Sequence, residues 1–102
     1  QNIRVLADLS RAAKICVTLG RHGAMYYQEG QIYHNSGFRV KVADTVGSGD
    51  SFLAGLTYKL LNAAAPQEAL AFACALGALV ASYHGATPEI SLQQIESFMH
   101  PA

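Results

Sequence analysis

Two glycines and two aspartates crowd the segment Asp44-Thr45-Val46-Gly47-Ser48-Gly49-Asp50, and that mixture of residue types suits one kind of chemistry. A Gly-rich turn that opens a helix leaves backbone N–H groups without intrahelical acceptors, and the helix dipole makes that end partly positive. Gly47 and Gly49 carry no side chains to hold an anionic oxygen away from those amides. Asp50 falls in the first turn, where a carboxylate can take a proton from a hydroxyl. The amides of Gly47, Ser48 and Gly49 can stabilise the charge spread over a phosphoryl group in transfer. The segment is not a G-x-x-x-x-G-K-[ST] loop, since no Lys-Ser or Lys-Thr closes it. Nor is it a dinucleotide fingerprint, since Phe52 or Leu53 stands where a third glycine would be. Taken alone, a G-x-G-D step is more often a capped helix start than a catalytic turn, because Asp and Ser are ordinary capping residues.

The elements around this segment follow from hydrophobic periodicity and punctuation. Ile3, Leu6, Leu9 and Ala13 have helical spacing, so residues 2–13 are expected to form a short helix or the end of one. Residues 14–19 form a short β-branched apolar run that Gly20 ends, a buried strand by its pattern. Residues 24–28 and 31–34 flank Glu29-Gly30 as an antiparallel hairpin. Phe38 to Val42 alternates cleanly and predicts a half-exposed strand. A helix over about residues 49–63 would bury Phe52, Leu53, Leu56, Leu60 and Leu61. Pro66 suits the first turn of a second helix, with Leu70, Ala73, Leu76, Leu79, Val80 and Tyr83 on its apolar side and Gly85 as its stop. Ser91 opens a last short helix to about Met99. No repeat, low-complexity linker or domain boundary is visible.

Bulk properties narrow the partners. The 102 residues suit one domain at most. Lys+Arg and Asp+Glu balance at 7 each, so no broad positive field exists for a nucleic-acid backbone or an anionic membrane, and neither partner is expected. A small anionic ligand would have to be held by local dipoles. Cys16 and Cys74 each lie in an apolar run and are expected as buried free thiols, in keeping with a reducing, cytoplasmic setting. Gln1-Asn2-Ile3-Arg4 has no signal-peptide profile, and the apolar tract over residues 69–81 is too short to span a bilayer. His22 between two glycines should be exposed in a turn, Tyr26, Tyr27 and Tyr33 should be packing residues, and the histidines have no metal-ligand spacing.

Three segments in order carry a family resemblance. Asp44-Thr-Val-Gly-Ser-Gly-Asp50 resembles the second signature of the ribokinase-like (PfkB) sugar kinases, usually D-T-x-G-A-G-D, with Ser48 in place of alanine. Val17-Thr18-Leu19-Gly20-Arg21-His22-Gly23-Ala24 resembles that family's V-T-L-G-x-x-G nucleotide segment. Phe72-Ala73-Cys74-Ala75, running on to Gly85-Ala86, resembles its late helix and G-A ending. The resemblance covers residues 14–88. It implies an α/β fold, the C-terminal portion of a three-layer α/β/α domain with helices on both sides of a largely parallel sheet.

It also implies an ATP-dependent phosphotransferase acting on a sugar hydroxyl. Asp50 would be the catalytic base and Gly47, Ser48 and Gly49 the anion hole. Thr18, Gly20 and Gly23 would line the nucleotide region, and Cys74 would stand at the adenine edge, where Asn or His is common. Mg2+ would accompany ATP, and a K+ site is implied at Asp44, Val46 and Gly85. A homodimer of the full-length protein is compatible with the resemblance. The family's Gly-Gly segment, sugar-binding residues and N-x-x-E motif have no counterpart in these residues, so the chain alone is expected to be inactive. The Thr-Val-Gly-Ser-Gly-Asp-Ser-Phe-Leu-Ala-Gly stretch leans towards fructokinase-like members. Two rivals stay open: a nucleoside or ketodeoxygluconate kinase of the same family, and a non-catalytic nucleotide- or sugar-phosphate-sensing domain. The retained Asp50 speaks against the sensor, which needs the amides but not the base.

Overall fold

Glu29 and Gly30 have φ of 51° and 78°, the left-handed pair that a two-residue hairpin needs to match strand twist. They join β3 (Ala24–Gln28) to β4 (Gln31–Asn35), in register from Ala24↔Asn35 to Gln28↔Gln31. The computed structural model describes residues 4–10, 14–19, 22–41, 47–82 and 90–100. Ahead of the hairpin lie β1 (Arg4–Ser10) and β2 (Lys14–Thr18), and the four strands form one sheet in the order β1-β2-β3-β4. Three helices follow: α1 (Ser48–Leu61), α2 (Pro66–Ala81) and α3 (Leu92–Met99).

The sheet departs from expectation in two ways. Every pairing among the described strands is antiparallel, not parallel. The links between them are two to five residues long, and a parallel crossover needs a dozen or more. The segment expected as a helix over residues 2–13 contains β1, whose backbone is paired with β2. The pairing runs Arg4↔Thr18, Val5↔Val17, Ala7↔Cys16, Asp8↔Ile15 and Ser10↔Lys14. It skips Leu6 and Leu9, the residues whose three-residue spacing had pointed to a helix. The register shifts at both places, and a bulge or irregularity of this kind interrupts a strand's regular period of two.

Alternation sorts the sheet into two faces. Cys16, Tyr26 and Tyr33 are cross-strand partners. Cys16 and Tyr26 are fully buried, and the two tyrosine rings lie 6.3 Å apart. The Tyr26 hydroxyl donates to Gln28 Oε1 at 2.7 Å. The neighbouring row, Ile15–Tyr27–Ile32, is exposed.

Helix α2 packs on the buried row. Leu70, Ala73 and Cys74 share a cluster with Cys16, Ala24, Tyr26, Phe52 and Leu56. Gln67 Nε2 donates to the His34 carbonyl at 3.0 Å, tying the start of α2 to the edge strand. Phe72 and Ala75 form a second cluster with Ile95 of α3, a helix opened by a reciprocal Ser91–Gln94 capping box. Lys59 joins all three helices, with Nζ 3.8 Å from Glu68 and from Glu96 and 4.7 Å over the Phe72 ring.

Residues 38–41 are not a strand. Their exposure alternates as the sequence implied, but Phe38 is taken by Phe98 of α3, with ring centroids 5.2 Å apart, and packs beside both core clusters. Leu61, expected on the buried side of α1, is 80% exposed in its last turn. No described helix is long and apolar enough to cross a membrane.

Gly23 closes the β2–β3 link. Its φ is 96°, and a Cβ there would collide with the Asn35 carbonyl oxygen. Gly23→Ala is therefore expected to destabilise the protein by at least about 2 kcal/mol through strain and backbone overlap together, read as a lowered midpoint in urea denaturation. Gly30→Ala meets no described residue within 4 Å of the new methyl and should cost less.

Candidate active site

Helix α1 begins on Gly47, whose φ of 80° is left-handed. Among the described residues nothing lies within 4 Å of where its Cβ would be. Ser51 N donates to the Gly47 carbonyl at 2.9 Å, the first bond of the helix. The amides of Ser48, Gly49 and Asp50 precede it and have no intrahelical acceptor. As the cap, Gly47 brings no side-chain acceptor to them. Asp50 is exposed in this first turn, where its charge also complements the helix dipole. These four residues therefore place helix-start amides and an exposed carboxylate on one turn. A phosphate oxygen is the kind of ligand that such a turn fits.

The turn is seated by α2. A Cβ on Gly77 would lie 3.3 Å from the Ser48 carbonyl oxygen and 3.5 Å from Phe52 Cβ, and one on Gly55 would lie 3.1 Å from Leu76 Cδ2. Gly77 did not stand out from sequence as a residue that seats the turn. The available signal was a glycine inside an otherwise continuous helical pattern, which costs helix stability unless close packing requires it.

Cys74 lies three residues before Gly77 on the same helix. It is 7% exposed in the cluster that contains Cys16. Burial pushes its thiol up to about 12, with the Cys16 thiol adding to the effect, and burial alone pushes Cys16 up to about 12. Both thiols are free. Cys16 is two residues before Thr18 on β2 and shares a cluster with Cys74, while Gly77 of the same helix faces Ser48 and Phe52 of α1.

Thr18 is half-buried at the end of β2 and pairs with Arg4 and Ala24. The link beyond it is closed by Leu19 N donating to the Gly23 carbonyl at 2.8 Å and His22 N donating to the Leu19 carbonyl at 3.1 Å. His22 is exposed. Gly23 thus has a structural reason to be glycine that is independent of any ligand.

Gly20 lies outside the described residues, as do Asp44, Val46 and Gly85, the residues of the expected monovalent-cation site. Among the described residues no group of three His, Cys, Asp or Glu could hold a metal ion.

A family model described as pfkB family carbohydrate kinase matches residues 3–92. The fructokinase of Solanum tuberosum is 39% identical over 85 residues, covering 74% of this chain and 26% of that protein. An Escherichia coli protein described as ribokinase II, solved in complex with ATP and Mg2+, superposes with a TM-score of 0.75 at 30% identity, over 81% of this chain and 27% of its own. A Burkholderia thailandensis nucleoside kinase in complex with inosine superposes with a TM-score of 0.78 at 26% identity, over 84% of this chain and 30% of its own. The fold is therefore the ribokinase-like α/β fold, and the chain spans about a quarter of the length of the curated relatives it matches.

The two thiols make stability depend on alkaline pH. An unfolded thiol titrates near 9.0 and these folded ones near 12. In that window the folded state keeps protons that the unfolded state has lost, so stability falls as pH rises. The limiting slope is roughly 1.4 kcal/mol per pH unit for each thiol. Urea melts at pH 8 and pH 10 should show the decline, and Cys74→Ala should shrink it by about half.

Proposed function

The chain belongs to the pfkB family of carbohydrate kinases, and on that premise we propose that it forms the catalytic, nucleotide-side end of an ATP-dependent kinase for a sugar hydroxyl. The observation that carries this reading is the start of α1, where an exposed carboxylate and the first amides of a glycine-capped helix share one turn. Asp50 accepts the proton of the acceptor hydroxyl as its oxygen attacks the terminal phosphorus of ATP. The new P–O bond forms as the bond to the leaving ADP oxygen breaks. The amides of Gly47, Ser48 and Gly49 donate to the phosphoryl oxygens, where negative charge is spread in the transition state. Mg2+, when bound with ATP, would offset the negative charge of the phosphates.

Thr18 and Gly23 would lie along the nucleotide, at the end of β2 and in the link after it, with Gly20 between them in the sequence. Cys74 would reach the adenine edge only through its small exposed fraction. A thiol held protonated by burial is a weak donor there, so it would add shape more than hydrogen bonding. Asp44, Val46 and Gly85 would hold K+ if the protein uses it. The fructokinase likeness favours a hexose acceptor, and the nucleoside-kinase likeness keeps a ribose hydroxyl as the second choice. Buried free thiols favour a reducing, cytoplasmic setting.

In the full-length protein, Asp50→Asn is expected to lower kcat by about 100-fold or more, while ATP affinity from calorimetry changes little. Turnover at the original rate would remove Asp50 from this role. The isolated 102 residues are expected to release no ADP in a coupled assay with hexose and ATP, because the residues that shape the sugar pocket are proposed to lie elsewhere in the protein.

A further inference from the structure

We propose that Gly77 is a positioning residue for phosphoryl transfer: its missing side chain lets α2 seat the Ser48–Gly49 peptide so that the Gly49 N–H is aimed out of the helix start. This rests on the function proposed above, since it gives that N–H a partner. The contact is unusual in kind. A Cβ at Gly77 would stand 3.3 Å from the Ser48 carbonyl oxygen, 3.5 Å from Phe52 Cβ and 3.9 Å from Phe52 Cδ2. The nearest of these atoms is backbone. Backbone inside a helix cannot rotate out of the way as a side-chain terminus can.

The Ser48 carbonyl and the Gly49 N–H belong to one planar peptide unit and point in opposite directions. Displacing the oxygen therefore turns the N–H. A Cβ at this distance moves its neighbour by a few tenths of an ångström. Over the width of a peptide unit that is a tilt on the order of 10°. Hydrogen bonds to a phosphoryl group weaken with misalignment, and reaction rates are sensitive to small misplacements of the groups that hold the substrate.

Gly55 provides an internal control. It sits in the same α1–α2 interface, and its added Cβ would meet Leu76 Cδ2 at 3.1 Å and Phe72 Cδ2 and Cε2 at 3.4 Å. That overlap is tighter, but every atom in it belongs to a side chain, and it lies seven residues beyond Ser48. Gly55→Ala should crowd the interface without turning the Gly49 amide. Both substitutions add the same methyl to a helix interior, so their effects on helix propensity cancel in the comparison.

The experiment compares Gly77→Ala, Gly55→Ala and Asp50→Asn in the full-length protein. It reads kcat, KM for ATP, Tm and the backbone amide shifts of Gly47 and Gly49. Gly77→Ala is expected to move the Gly49 amide resonance, lower kcat by about 3- to 10-fold and leave KM for ATP within about twofold. Gly55→Ala should leave kcat and the Gly49 resonance in place. Equal kcat losses in the two glycine variants, or an unmoved Gly49 resonance in Gly77→Ala, would overturn the positioning role. An active Asp50→Asn would instead overturn the proposed function, whatever Gly77 does to the Gly49 amide.

Discussion

Helix α2 is covered on three sides, by the sheet, by α1 and by α3, and the burial of its side chains is what the other elements depend on. Ala69, Leu70, Phe72, Ala73, Cys74, Ala75, Val80 and Ala81 are all buried. A helix apolar on so many sides can only be an interior one. Its alanines matter as much as its large residues, because small side chains let the sheet and α1 approach closely. Each large side chain removed from water contributes about 1.5–3 kcal/mol. Leu70, Phe72 and Leu56 of α1 are therefore the main sources of cohesion, while Lys59 and its exposed glutamate partners contribute less.

The proposed chemistry is attached to this core at its α1 end. A helix start can present amides to an anion only if the helix is held firmly behind it. Here Phe52 and Leu56 are buried one and two turns in, and Gly77 admits the backbone of the first residue to contact with α2. On the other side no described residue lies within 4 Å of where a Gly47 Cβ would be. The site is thus rigid on the inner side and accessible on the outer one, which is the asymmetry that preorganised electrostatic stabilisation needs.

The sheet shows the same asymmetry on a larger scale. The row Cys16–Tyr26–Tyr33 meets α2, and the alternate row Ile15–Tyr27–Ile32 is exposed. The buried tyrosine keeps its hydroxyl bonded to Gln28. The two buried thiols need no partner while they stay protonated, and burial keeps them so.

Much of this was legible in the residues alone. The hairpin at Glu29-Gly30, the Pro66 helix start, the Ser91 cap and the burial of Cys16 depend on local conformation or on a short apolar run, and each was read correctly for that reason. The turn from Gly47 to Asp50 was legible because glycine, serine and aspartate at a helix start have few other uses together.

Tertiary structure decided the rest. Spacing alone could not distinguish a helix from an irregular strand at Leu6 and Leu9, because a bulge or irregularity interrupts the period of two and only the pairing with β2 settles which is present. Phe38 to Lys41 kept its alternation but found an aromatic partner in α3 in place of a strand. Strand direction followed from short links, not from composition. Gly77 became meaningful only when α2 was laid against Ser48, since the value of a missing side chain depends on what would have occupied its space.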